Sequence, residues 1–356
     1  MKIFRYSNFP TDNSPGSGLA AYNLSQHSDL TSCILCKEIA SENMNILESL
    51  NIPIYSLSAN SFLYKIIKMN IILRSVLVMY HGLSFLRKSS VIHIHNIDGI
   101  FLLLAALFFR KKIIYTFHGT DFTRVSRNQI LRKIFSRIDV LLFVSQNQLD
   151  EAKELFETKC MYVGNGVSLP RIENIVDKPS SNQIVSIGGL RWQKNYKTLI
   201  KAYKKSLFFE KKIPLYIYGE GELRKDLENL IISFGLAELV HLKGIISKKK
   251  LNLELANTKY YVQSSISEAL PKSLLEAMSY NCYTMTTKAG DCHLVLGEFG
   301  IIADTSDISG IKMALDTLID FRPQYNQTEL HEYLQNNFSW NAYVSKHRAI
   351  YSEIVV

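Results

Sequence analysis

Short, nearly unbroken apolar runs recur along the chain, each followed by a polar loop and then a longer stretch with helical spacing. Runs rich in Val, Ile, Leu and Tyr suit strands buried on both faces of a parallel sheet. In the first half these are Met1–Ser7, Ser90–Asn96, Ile113–Phe117 and Val140–Ser145. In the second they are Ile184–Ile187, Leu215–Tyr218, Val240–Gly244, Lys259–Gln263, Cys282–Thr287 and Ile301–Asp304. Between them the spacing predicts helices over Gln146–Phe156, Tyr196–Lys204, Glu222–Phe234, Lys248–Ala256 and Trp340–Ile354. Phe62–Arg87 is apolar, with charges on two sides of a helical projection, so it predicts a packed helix with basic flanks. Arg124–Arg137 gives the solvated face of one further helix.

Strands alternating with helices place the chain in the α/β class with parallel sheets. Its 356 residues exceed one ordinary core and suit two domains of roughly 170 residues each. Leu169–Gln183 is polar and holds two prolines, which makes it a linker. The expected organisation is a first domain over 1–170, a linker over 171–183, a second domain over 184–340 and a closing helix over 341–356.

The chemistry concentrates where strands end in loops. In Ser264–Met278 a polar loop runs into a helix that begins at Pro271, with Leu274, Leu275 and Met278 as its apolar face. Its first turn, Pro271, which has no N–H of its own, with Lys272, Ser273 and Leu274, presents unsatisfied amides from the last three and the positive end of the helix dipole, which suit a pyrophosphate. Glu268 and Glu276 flank that turn, eight residues apart. Carboxylates suit sugar hydroxyls, because each accepts two hydroxyl hydrogen bonds. An ordinary surface helix carries the same spacing, so the remaining loops matter. Ser7 leads into a loop containing Gly16 and Gly18, and then a helix begins. That arrangement brings amides to a phosphate, although it lacks both the dinucleotide spacing and a Walker lysine. Gly188-Gly189 opens a similar turn with two cations, Arg191 and Lys194. His118 and Asp121 follow a strand end that opens onto the binding side of a parallel sheet. His93 and His95 sit in a strand and suit a buried role.

Composition narrows the class. Apolar residues make up 47% and aromatics 11%, as in a globular protein. Five cysteines, including Cys33-x-x-Cys36, show no zinc spacing and suit free thiols in a reducing compartment. The opening Met1-Lys-Ile-Phe has the pattern of a strand rather than a leader. The longest apolar run, Ile100–Phe109, is about half of the roughly 20 residues a membrane span needs. A cytosolic protein is expected. The net charge of +9 gathers between Ser61 and Arg137, where thirteen Lys/Arg face two acids. Such a block favours a polyanionic partner, an anionic membrane surface or a pyrophosphate-linked lipid, while nothing in the chain reads nucleic-acid bases. No Asp-x-Asp triplet occurs, so neither a metal nor another cofactor is expected.

The phrase SISEALPKSLLEAM resembles the E-x7-E signature of retaining GT-B glycosyltransferases of family 4, the glycosyl transferases group 1. Further segments resemble the family in order: the first glycine loop, the stretch Thr116-Phe-His-Gly-Thr-Asp121, Asn165-Gly-Val167 and Gly189-Leu-Arg-Trp-Gln-Lys194. The resemblance implies two Rossmann-like domains facing a cleft, with a C-terminal helix crossing back to the first. It implies Glu268 and His118 at the transferring sugar, Glu276 at the ribose, and Lys194 at the diphosphate with Gly16 and Gly18 facing it. The family's arginine falls on Gly189 here, and Arg191 stands two positions on. Transfer of a hexose-type sugar from a nucleotide-diphosphate donor to a glycan or lipid-linked glycan is thereby implied, as in bacterial surface polysaccharide assembly. The rivals are a nucleotide-sugar epimerase of the same fold and a catalytically silent nucleotide-sugar-binding subunit.

Overall fold

The structure, a computed structural model, describes residues 2–7, 20, 23–24, 33–36, 54–56, 71–170 and 181–355. They form two compact units, Met1–Asn165 with Trp340–Val356, and Gly166–Ser339. Each unit is built on a wholly parallel sheet, as the apolar runs predict.

In the first unit the strands are β1 (Ile3–Ser7), β2 (Cys33–Cys36), β3 (Ile54–Ser56), β4 (Val91–Ile94), β5 (Lys112–Phe117), β6 (Val140–Phe143) and β7 (Lys159–Tyr162). Their order is β3-β2-β1-β4-β5-β6-β7, so the winding reverses between β1 and β4. Every residue of β1, β4 and β6 is buried. This explains their largely apolar character, since helices must cover both faces of such a sheet. The apolar run after Asn96 becomes the helix Ile100–Phe108, which packs against the helix Ile71–Lys88. The predicted helix over Arg124–Arg137 is instead two, Thr120–Ser126 and Gln129–Phe135. Asn128 divides them, its side chain accepting from the amides of Ile130 and Leu131 and starting a new helix.

The second unit holds β8 (Ser181–Ile187), β9 (Leu215–Tyr218), β10 (Val240–Gly244), β11 (Thr258–Gln263), β12 (Tyr283–Thr286) and β13 (Gly300–Ile302), ordered β10-β9-β8-β11-β12-β13. β8 begins inside the stretch expected as linker, because Gln183 and Ser181 already pair beside β11. The helix Tyr196–Tyr203 buries Tyr196, Leu199, Ile200 and Tyr203, and packs on the helix Ile308–Ile319. The closing helix Trp340–Val355 belongs to the first unit. It buries Tyr343, Val344, His347, Ile350 and Tyr351, and Tyr351 reaches Arg5 on β1. Among the described residues no helix is long and apolar enough to cross a membrane.

Candidate active site

The second unit carries most of the predicted residues at one place. Its winding reverses between β8 and β11, and in open parallel sheets ligands bind beyond the strand ends at such a point. β8 ends at Ile187 and leads into Gly188-Gly189, then Lys194. β11 ends at Gln263 and leads into the loop that holds Glu268. The two loops are sewn together: Ile266 donates its amide to the Gln193 carbonyl at 2.8 Å, and Ser264 Oγ donates to the Lys194 carbonyl at 2.9 Å.

Lys194 Nζ meets Glu268 Oε1 at 2.5 Å, both side chains mostly buried. The same oxygen accepts from Ser265 Oγ at 2.7 Å and from Gln263 Nε2 at 3.3 Å. Three donors thus fix one carboxylate, so its position is set before any ligand arrives. Gly188 makes room for this. A β-carbon there would stand 2.6 Å from Lys194 Cε and 3.0 Å from the Tyr196 hydroxyl. Gly290, at φ +52°, lies so close to the Glu268 carbonyl that a β-carbon would approach it to 2.2 Å.

The helix Lys272–Ser279 buries Leu274, Leu275 and Met278. Pro271 lies one position before its expected place. With φ −77° and ψ 116° it is the cap, and Lys272 is the first helical residue. The fixed proline φ fits either position, and here the extended ψ decides it. Its side chain caps nothing, and an α-helix leaves its first amides without intrahelical partners. Burial pushes the Lys272 ammonium down to about 8, with Lys248 acting in the same sense and Glu276 against it. A cation held at a helix's positive end is an arrangement that an anion relieves. Glu276 Oε1 pairs with Lys248 Nζ at 2.6 Å.

Arg191 is exposed. Its Nε and Cδ stand 3.6 and 3.7 Å from where a β-carbon of Gly189 would be. The guanidinium stem therefore lies over the position from which a side chain at 189 would grow.

His118 and Asp121 belong to the first unit. His118, just beyond β5, lies with Nε2 3.2 Å from His95 Nδ1. Asp121 turns inward: Tyr115 donates its hydroxyl to Oδ2 at 3.0 Å, and the His118 amide donates to Oδ1 at 3.3 Å. Burial raises its carboxyl to about 6, against the pull of those hydrogen bonds. Its evident work is to hold the turn that carries His118. Gly16 and Gly18 lie outside the described residues, as does 61–70 of the basic block.

Gln263, Ser265 and Lys248 are absent from the sequence-derived set. The signal for the first two is a polar residue closing an otherwise apolar strand and another opening the loop beyond it. Lys248, distant in sequence from Glu276, has no such signal. Among the described residues no group of three or more His, Cys, Asp or Glu is placed to hold a metal ion.

Two family models match the chain. The one described as glycosyl transferases group 1 matches residues 170–337, and the one described as glycosyltransferase family 4 matches 59–171. Together they span more than half of the chain. The phosphatidylinositol N-acetylglucosaminyltransferase gpi3 subunit of Schizosaccharomyces pombe is 22% identical over 299 residues, 80% of this chain and 63% of that protein. A Campylobacter jejuni transferase is 25% identical over 211 residues, 56% of each chain. By name it is an N-acetylgalactosamine-N,N'-diacetylbacillosaminyl-diphospho-undecaprenol 4-alpha-N-acetylgalactosaminyltransferase. The chain thus spans about three-fifths of the length of these curated relatives. Among solved structures, Anabaena HepE in complex with UDP and glucose matches with a TM-score of 0.74 at 14% identity, covering 99% of this chain and 100% of that one. The sucrose-phosphate synthase of Thermosynechococcus elongatus matches with a TM-score of 0.76 at 15% identity, covering 99% of each. At these identities the likeness speaks for the fold.

Proposed function

The chain belongs to the glycosyl transferases group 1 and has their two-unit GT-B fold, and from that premise we propose that it is a retaining glycosyltransferase. It moves a hexose-type sugar from a nucleotide-diphosphate donor to a glycan or lipid-linked glycan. The observation that carries the reading is the convergence at the β8/β11 reversal of Lys194, Glu268 and the uncapped start of Lys272–Ser279.

The residues divide the work. The amides of Lys272, Ser273 and Leu274 and the Lys272 ammonium take the diphosphate, whose charge they match. Lys194 neutralises the charge that grows on the leaving phosphate, with Arg191 in the place of the family arginine. Glu276, steadied by Lys248, accepts from the ribose hydroxyls. Glu268, fixed by Ser265 and Gln263, holds the sugar, and the family resemblance implies a sugar contact for His118 as well. The acceptor hydroxyl oxygen bonds to C1 as the bond from C1 to the phosphate oxygen breaks. The hydroxyl proton passes to the departing phosphate on the same face, which gives retention.

Both curated relatives are named for lipid-borne acceptors, which supports a lipid-linked one here. The basic stretch 61–137, with exposed Phe108 beside Arg110, supports contact with an anionic membrane at the cytosolic face. Surface polysaccharide assembly is the setting we infer. The silent-subunit reading depends on the missing arginine at 189, and the position of Arg191 weighs against it.

Glu268→Gln keeps the volume and removes the charge. It is expected to lower transfer by roughly a hundredfold to a thousandfold, the range for one well-placed electrostatic group, with the fold intact by circular dichroism. Nucleotide-diphosphate sugars are ranked first by thermal stabilisation and then by turnover. Full turnover in the variant, or conversion of the donor alone into an epimer, would defeat the proposal.

A further inference from the structure

Beneath His118 lies a buried network in which a single arginine faces a set of imidazoles. Arg5 on β1 is fully buried. Its Nη1 stands 2.9 Å from His93 Nδ1 and 3.0 Å from His95 Nε2, and its Nη2 donates to the Tyr351 hydroxyl at 3.0 Å. His93 Nδ1 is also 2.5 Å from that hydroxyl, and His93 Nε2 is 2.7 Å from Thr116 Oγ1. His93 and His95 are stacked with centroids 4.0 Å apart, and His95 and His118 with centroids 5.5 Å apart.

A guanidinium only donates. Both ring nitrogens that meet it must therefore present lone pairs, which fixes where each imidazole keeps its proton. A neutral imidazole has one N–H and one lone pair. His93 accepts at Nδ1 and donates from Nε2 to Thr116. His95 accepts at Nε2, so its proton is on Nδ1, the nitrogen that faces His118 Nε2. From Arg5 through His95 to His118 the donors then point one way, outward.

We propose that Arg5, acting through His95, sets His118 as the neutral tautomer with its proton on Nδ1. His95 Nδ1–H donates to His118 Nε2, so protonating His118 there would set two N–H groups against each other. His93 and His347 stack behind His95, Arg5 holds the positive charge, and Asp121 accepts from the His118 backbone amide. His93 and His95 are each held well below the usual histidine range, by burial first and by their cationic and imidazole neighbours after it. Arg5 and His95 are thus positioning residues. With His118 at the transferring sugar, as the proposed function has it, the ring offers a hydroxyl oxygen an uncharged N–H donor at Nδ1 and no base. That last step rests on the proposed function, and the tautomer does not.

The test is a long-range proton–nitrogen spectrum of the imidazoles in the full chain between pH 7.5 and 5.5, with His118 identified by its loss in His118→Gln. The expected result is a protonated Nδ1 and an unprotonated Nε2 on His118, unchanged over the range. A proton on Nε2, or titration to the cation within the range, overturns the proposal. Two variants break the chain at different links, Arg5→Gln at its source and His95→Leu at its middle. In either, His118 is expected to gain a protonation step near the ordinary histidine value of about 6.5. A wild-type pattern in the folded variants overturns the proposal as well. Should neither fold, the wild-type spectrum decides alone. Turnover of His118→Ala is read separately: full activity removes His118 from the proposed mechanism and leaves the tautomer result standing.

Discussion

Lys194 crosses directly over the backbone of Gly188, and its pairing with Glu268 depends on that crossing. Gly188→Ala puts a β-carbon 2.6 Å from Lys194 Cε. The lysine end is flexible and moves aside at small cost to the fold, so the loss appears in donor binding. A hydrogen bond to a charged group contributes about 1.5–3 kcal/mol, and about 1.4 kcal/mol is a factor of ten. Donor affinity is therefore expected to fall roughly tenfold or more. Calorimetric titration of wild type and variant with the donor checks this, and equal affinities would remove Lys194 from the donor site. Glu268, Glu276 and Lys194 are legible in the sequence because their spacing is tied to short local turns. Ser265 and Gln263 are not. Their contribution is to hold a carboxylate, which depends on where two loops meet in space.

At the scale of elements, the apolar runs locate the strands well because a parallel sheet buries both faces and leaves a continuous signal. Helix ends are less legible where charge is taken as the guide. Arg124–Arg137 carries basic residues throughout, which suggests one solvated face. The decisive residue is Asn128, whose carboxamide accepts from two amides, those of Ile130 and Leu131, at 3.0 Å each. Asn is among the strongest N-cap residues, so the break is written in the sequence as a cap rather than as a change in polarity. Asn128→Ala is expected to cost about 1 kcal/mol, seen as a lower denaturant midpoint at unchanged slope, while Asn128→Ser keeps most of the stability. An alanine variant as stable as wild type would mean that the helix Gln129–Phe135 does not depend on its cap. Pro271 makes the opposite case. Its sequence context fits the cap and the first turn equally, and only the backbone angle separates them.

Across the whole molecule, both sheets reverse their winding at the place where polar side chains collect, and in the first unit those side chains carry a pH dependence. His93 and His95 lie well below the ordinary range and His347 is pushed down to about 3, burial being the main cause in each. Unfolded, each takes up a proton below about 6.5. Their contribution to stability is therefore full above that value and is lost as the pH falls towards the folded values. Asp121 works the other way. Its folded carboxyl is raised to about 6, so its contribution is present below the unfolded value of about 3.9 and is lost as the pH rises through 6. Below about pH 6 the three histidines oppose the one aspartate, so on balance unfolding takes up protons from these groups. Stability therefore falls with acidification through this range. Asp121→Asn removes the opposing proton, so its stability should fall more steeply with acidification than that of the wild type. Denaturant midpoints of both proteins at pH 7.5, 6, 5 and 4 measure the two slopes. A flat wild-type profile would contradict the neutral burial of the histidines, and equal slopes would contradict the raised Asp121.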